Sequence, residues 1–166
     1  MHILMCNDDG ILADGLRHLA SYLSQYYRIT VVAPANEQSA KSHALTTEVP
    51  LKLDACNGED ENPRLYALTG TPSDCMKFGL SYLLTDDMPD LVISGINHGF
   101  NLGSDVLYSG TVSAAMESGF YGIPGLALSV ERYSVERGDE MHPFIHELIE
   151  KIYVAGSVRW LHNMVY

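Results

Sequence analysis

An apolar run that stops abruptly is the strongest constraint on this chain. Ile3 to Cys6 is unbroken, and Asn7-Asp8-Asp9-Gly10 follows at once. A short apolar run bounded by a tight polar turn reads as a buried parallel strand. The turn then lies at the strand's carboxyl end, the rim where open α/β sheets bind ligands. Two adjacent carboxylates repel each other, so holding both ionised in one cleft calls for a cation. The plain alternative is a strand-to-helix turn in which one Asp caps the next helix.

The residues that follow alternate in the manner of a parallel sheet. Leu16, Leu19, Ala20, Leu23 and Tyr27 fall on one helical face, and Arg28 to Ala33 is a β-branched run closed by Pro34. Strand, helix, strand makes a βαβ unit. Val49 to Asp54 and Arg64 to Leu68 read as two extended segments of a hairpin around a polar turn rich in breakers. Thr71-Pro72-Ser73-Asp74 has the N-cap, first-position proline and third-position acid of a capped helix. Asp90 to Ser94 and Leu126 to Val130 are further buried strands, and Ile145 to Tyr153 is a last amphipathic helix with His142-Pro143 ahead of it. The pattern predicts one α/β domain over residues 1–166, a three-layer fold with a mainly parallel sheet.

The strand ends can be searched for chemistry. Asn36 to Thr47 is polar, follows the second strand and carries Ser39 and Ser42, either of which can supply a hydroxyl. Gly95 to Thr111 is glycine-rich and carries Asn97 and Asn101. It ends in Ser109-Gly110-Thr111 at the start of a helix, where free amides and small hydroxyl residues suit an anion. A capped helix alone also explains that tripeptide. No GxxxxGK[ST] or GxGxxG pattern is present, which argues against a P-loop or a nicotinamide site. Asp8, Asp9, a serine near 39 and Asn97 are all oxygen donors, the set that hard cations such as Mg²⁺, Mn²⁺ or Ca²⁺ prefer over zinc or copper. A cation beside an anion hole equips a site for phosphate-ester hydrolysis, with Asp8 or Asp9 as general base and His98 or His43 as candidate acids.

Charge and cysteine usage narrow the partners. The net charge of −11 argues against a nucleic-acid polymer as partner, and a phosphate substrate needs local help from a metal or amides. Cys6, Cys56 and Cys75 are too few and too irregular for a disulfide framework; Cys6 and Cys75 read as core thiols. No segment is long and apolar enough for a membrane and the N-terminus lacks a signal-peptide pattern, so a cytoplasmic protein is expected.

Five blocks resemble, in order and spacing, the SurE survival-protein family. They are Asn7 to Gly10; Ala33-Pro34 with Gln38-Ser39 and Ala44-Leu45-Thr46; Gly70 to Cys75; Ser94 to Asn101; and Tyr108 to Glu117, so the resemblance covers about residues 1–130. It implies a Rossmann-like fold and a metal-dependent 5′-nucleotidase that cleaves nucleoside 5′-monophosphates, working as a homodimer or homotetramer. By that resemblance one divalent cation per subunit, Mg²⁺ or Mn²⁺, is held by Asp8, Asp9, Ser39 and Asn97. Asn97, Asn101, Ser109, Gly110 and Thr111 are then the substrate-binding residues, the last four facing the phosphate. Ala40 departs from the family, standing where many relatives have glycine. The family also continues into further strands and an arm exchanged between subunits, which Gly156 to Tyr166 does not resemble. The alternative expectation is therefore a truncated module that binds metal or nucleotide with little or no turnover.

Overall fold

The first strand occupies the middle of the sheet. In the structure, a computed structural model that describes residues 1–154 and 161–165, β1 spans His2–Cys6 and every residue of it is buried. It pairs in parallel with β2 (Arg28–Pro34) on one side and β5 (Leu91–His98) on the other. Beyond β2 come β4 (Arg64–Leu68), also parallel, and β3 (Leu53–Ala55), the antiparallel edge; beyond β5 come β6 (Gly125–Val130) and β7 (Leu161–Val165), both parallel. The chain thus winds outward from β1 in one direction, then returns to build the other half from β5. Its topological switch point lies between the carboxyl ends of β1 and β5, where this class of sheet opens a crevice.

Alternation along the strands sorts the core into two faces. Ile3 and Met5 pack with Ile29, Val31 and Ile93 under α1 (Asp14–Leu23) and α4 (Val135–Val154), which contribute Leu16, Leu19, Leu23, Met141, Ile145 and Ile149. Leu4 and Cys6 face the other way, onto Cys75 and Met76 of α2 (Pro72–Phe78) and Ala114 of α3 (Gly110–Glu117). The result is the expected three-layer α/β arrangement, and Cys6 and Cys75 are both wholly buried thiols. The α2 cap forms as the sequence indicates: the Thr71 side chain accepts from the Asp74 amide, and Asp74 accepts from the Thr71 amide. The hairpin forms as β3–β4, with β4 a full member of the sheet beside β2, but its first strand is only Leu53–Ala55 and not the expected Val49 to Asp54. Among the described residues no helix is long and apolar enough to cross a membrane.

Further elements differ from the periodicity. α1 ends at Leu23, and Tyr27 reaches the same core from the turn that follows. β5 runs on to His98 through an irregularity between Ser94 and Asn97. Gly95, at φ +130°, makes that passage possible, because a Cβ there would lie 2.3 Å from the Leu128 carbonyl oxygen. α4 begins at Val135, so Pro143 lies inside the helix and not ahead of it. Proline cannot donate to the carbonyl four residues back; here that residue is Asp139, and both it and Pro143 are exposed, so water can take the bond. The reading of Gly156 to Tyr166 falls partly outside the described residues; within it, 161–165 form β7.

Candidate active site

The turn after β1 is built by its own first residue. Asn7 is fully buried; its Oδ1 accepts from the Gly10 amide and its Nδ2 donates to the Gly10 carbonyl, each at 3.1 Å. That clamp presents Asp8 and Asp9 at the switch point. Asp8 is 6% exposed. Its Oδ1 accepts from the Thr111 hydroxyl at 2.5 Å, and the Thr111 amide also donates to the carboxylate. Asp8 therefore lies against the N-terminus of α3, where unpaired amides and the helix dipole favour negative charge. Gly110 makes this approach possible: a Cβ there would lie 2.9 Å from Asp8 Cβ and 3.1 Å from Pro72 Cγ.

Both carboxyls are nonetheless harder to ionise than usual. Burial raises Asp8 above the ordinary carboxylate range, the Thr111 bonds pull it down, and nearby Glu37 raises it further. Burial and then the Asp8 charge push Asp9 up to about 6, although the His98 amide donates to it. Glu37 is thus a third acid near the pair, one that the sequence reading passed over because it sits in a polar loop. Its Oε1 accepts from the Ser39 hydroxyl at 2.6 Å.

The remaining expected residues are placed unequally. Asn97 is buried at the end of β5 and donates from Nδ2 to the Gly99 carbonyl at 2.7 Å, which leaves its oxygen as the acceptor end. Asn101 is buried and donates to the Ser129 hydroxyl at 2.8 Å. Ser109 is the N-cap of α3, its hydroxyl accepting from the Val112 amide at 3.1 Å. The hydroxyls of Ser109 and Thr111 thus both have protein partners. Ser39 is exposed, on a loop where Ala40 and Ser42 have φ of 56° and 52°. Such angles favour glycine, so Ala40 and Ser42 both sit in a conformation that side chains disfavour. Ser42 turns away from the carboxylates: its hydroxyl donates to the Leu107 carbonyl at 2.8 Å.

The loop 36–47 is held at several points. The Gln38 amide donates to the Asp8 carbonyl at 2.7 Å. The Thr46 hydroxyl donates to Asp74 at 2.6 Å. His43 Nε2 and Glu117 Oε2 lie 2.7 Å apart, with Glu117 itself buried at the end of α3. Glu117 escaped the sequence reading because an acid at a helix end ordinarily faces solvent. His43 is engaged in this pair, whereas the His98 side chain is exposed beside the carboxylates. Among the described residues no group of three or more His, Cys, Asp or Glu could hold a metal, so a cation at Asp8 and Asp9 would rely on neutral oxygens to complete its shell.

Comparison with known proteins bears on this arrangement. The family model described as Survival protein SurE matches residues 3–164, past residue 130 where the recognisable motifs end. A protein of Thermoanaerobacter sp. (strain X514) named 5′-nucleotidase SurE is 49% identical over 156 residues, 94% of this chain and 61% of that protein. One of the same name from Clostridium botulinum (strain Alaska E43 / Type E3) is 41% identical over 165 residues, 99% of this chain and 64% of that protein. The crystal structure of the SurE protein from Aquifex aeolicus superimposes with a TM-score of 0.84 at 35% identity, covering 99% of this chain and 66% of that one. The chain spans roughly three fifths of the length of the curated relatives it matches, 61% for the Thermoanaerobacter protein. With the family model matching nearly from end to end, this chain belongs to the SurE survival-protein family.

Proposed function

We propose that the chain is a divalent-metal-dependent phosphohydrolase that removes phosphate from nucleoside 5′-monophosphates. The observation that carries this reading is the pairing of two acids with raised pKa, Asp8 and Asp9, with the N-terminus of α3 at the switch point of the sheet. The names of the relatives agree with it. Mg²⁺ or Mn²⁺ fits the residues present, because two repelling carboxylates gain from a cation and the neighbouring donors are oxygens. Asp8, Asp9 and Asn97 would hold it with Ser39, whose hydroxyl gives its proton to Glu37 and keeps its lone pairs. A cation in that place supplies Lewis acidity toward a phosphoryl oxygen.

The chain's own residues supply the rest. The first turn of α3 offers amides and partial positive charge to a phosphate, with Gly110 keeping the approach open and Ser109 and Thr111 shaping the helix end. Asn101 lies buried just past the end of β5, donating to the Ser129 hydroxyl. Asp9 is the less buried acid and is bonded by an amide rather than locked by a hydroxyl, so it is the better placed to take a proton from water. Ser109→Ala should raise KM for the nucleotide more than it weakens metal affinity; lost metal with unchanged nucleotide binding would reverse the assigned roles.

The second reading is a module that binds metal and nucleotide without turnover. Phosphate release from adenosine 5′-monophosphate separates the two. Release by the wild type that vanishes in folded Asp8→Asn supports the hydrolase. Metal binding without release supports the module.

A further inference from the structure

We propose that the cavity between the end of β6 and the start of α4 is a second anion subsite, and that it selects nucleotides carrying another phosphate on the sugar. The inference rests on the phosphohydrolase reading for its reacting centre. The cavity measures about 650 Å³ and is lined by His98, Glu131, Arg132, Ser134 and Arg137. It shares a wall with the acid pair: the residue whose amide donates to Asp9 is His98 itself. The two rims are stitched together, since the Gly99 amide donates to the Val130 carbonyl at 2.8 Å and Asn101 Nδ2 to the Ser129 hydroxyl at 2.8 Å.

Positive charge is scarce in this chain, and two of its arginines share this cavity. The chain has ten Lys and Arg residues against a net charge of −11. Among the described residues Arg28, Lys52, Arg64 and Lys151 are paired with acids, whereas Arg17, Lys41, Lys77, Arg132 and Arg137 form no ion pair, and of these five Arg132 and Arg137 line one cavity together. Two unpaired guanidinium groups meet in one cavity, with Glu131 as its one lining acid. Glu136, next to Arg137 in the chain, is instead bonded by its own amide and the Ser134 hydroxyl. Arg137 Nη1 donates to the Arg132 carbonyl at 3.3 Å, which holds that guanidinium over the loop. Ser134 orders the floor, its hydroxyl accepting from the Arg137 amide at 3.3 Å and its carbonyl from the Gly138 amide at 2.9 Å.

The occupant follows from this lining. A planar guanidinium fork matches phosphate oxygens and binds them with charge-assisted bonds. No Phe, Tyr or Trp lines the cavity; His98 is its one ring, and two guanidinium groups against one acid give the lining a net positive charge that a phosphate answers and a neutral nucleobase does not. The class of ligand is therefore a phosphomonoester with a second phosphate, such as a nucleoside 3′,5′-bisphosphate.

The test compares adenosine 3′,5′-bisphosphate with adenosine 5′-monophosphate on the full chain, wild type against Arg132→Gln/Arg137→Gln. Steady-state phosphate release with Mn²⁺ forms one arm; calorimetric titration of the bisphosphate in chelator forms the other. The proposal predicts a KM for the bisphosphate roughly tenfold below that for the monophosphate. The double variant should lose this difference, with monophosphate kinetics unchanged. Equal KM values in the wild type, or a difference that survives the double variant, would overturn the subsite. If the wild type hydrolyses neither nucleotide, the hydrolase reading fails and the calorimetric arm decides alone. A bisphosphate affinity that falls in the variant sustains the subsite, and an unchanged affinity overturns it. Arg132→Lys/Arg137→Lys, which keeps both charges, should retain part of the preference and so exclude a folding defect.

Discussion

Asp9 shows how one residue can work against the fold that holds it. Its carboxyl is pushed up to about 6 by burial and by Asp8, so the folded protein binds that proton more tightly than the unfolded chain does. Ionising Asp9 costs the native state nothing below about pH 4, progressively more from about 4 to 6, and its full amount above that. Asp9→Asn should thus stabilise the metal-free protein at pH 7 by about 1–2 kcal/mol after solvent screening, and by little at pH 4. Thermal unfolding of both proteins in chelator across pH 4–7 reads the difference. A gap that does not widen with pH would show that the acid is unstrained. The clamped Asn7-to-Gly10 turn was legible in the sequence because strand, polar stop and glycine are all local signals. Glu37 was not, because its closeness to the pair depends on how a distant loop folds back.

At the scale of elements, the site is a meeting of α3, the loop 36–47 and the ends of β1 and β5. Gly110 sets the distance between α3 and β1. Gly110→Ala would place a methyl against Asp8 and Pro72, at a cost of about 1–3 kcal/mol, and should reduce activity beyond what the stability loss explains. Unchanged melting temperature and activity would mean that α3 has room to retreat. His43 and Glu117 tie the loop to the far end of the same helix. A double-mutant cycle with His43→Ala and Glu117→Gln should show coupling of about 1–3 kcal/mol in unfolding free energy, since breaking the pair strands a buried carboxylate. Additive losses would reduce the pair to a chance contact. The capped start of α2 was readable from Thr71, Pro72 and Asp74, whose chemistry acts within one turn. The Glu117 pair and the start of α4 were not. One needs a partner 74 residues away, and the other needs a proline's missing bond to fall on the wet side of the helix.

Across the whole molecule, the order of strands explains why these pieces converge. Winding outward from β1 and then restarting at β5 leaves one crevice, and Asp8, Asp9 and Asn97 all lie at its mouth. That Asp8 and Asp9 follow the carboxyl end of a strand was readable from the alternation of strands and helices, whereas the strand order that makes the crevice was not. The arginine-lined cavity did not, because Arg132 and Arg137 belong to a stretch with no periodic signal and meet His98 only through the pairing of β5 with β6. On the proposed function, the carboxylate pair at this crevice holds a divalent cation on which phosphate release depends. The most direct test is inorganic phosphate release from adenosine 5′-monophosphate by the purified chain as Mn²⁺ is titrated in, withdrawn by chelator and restored. Saturable release that disappears with chelator and returns with the cation is the predicted result. Release that persists in chelator would contradict the account.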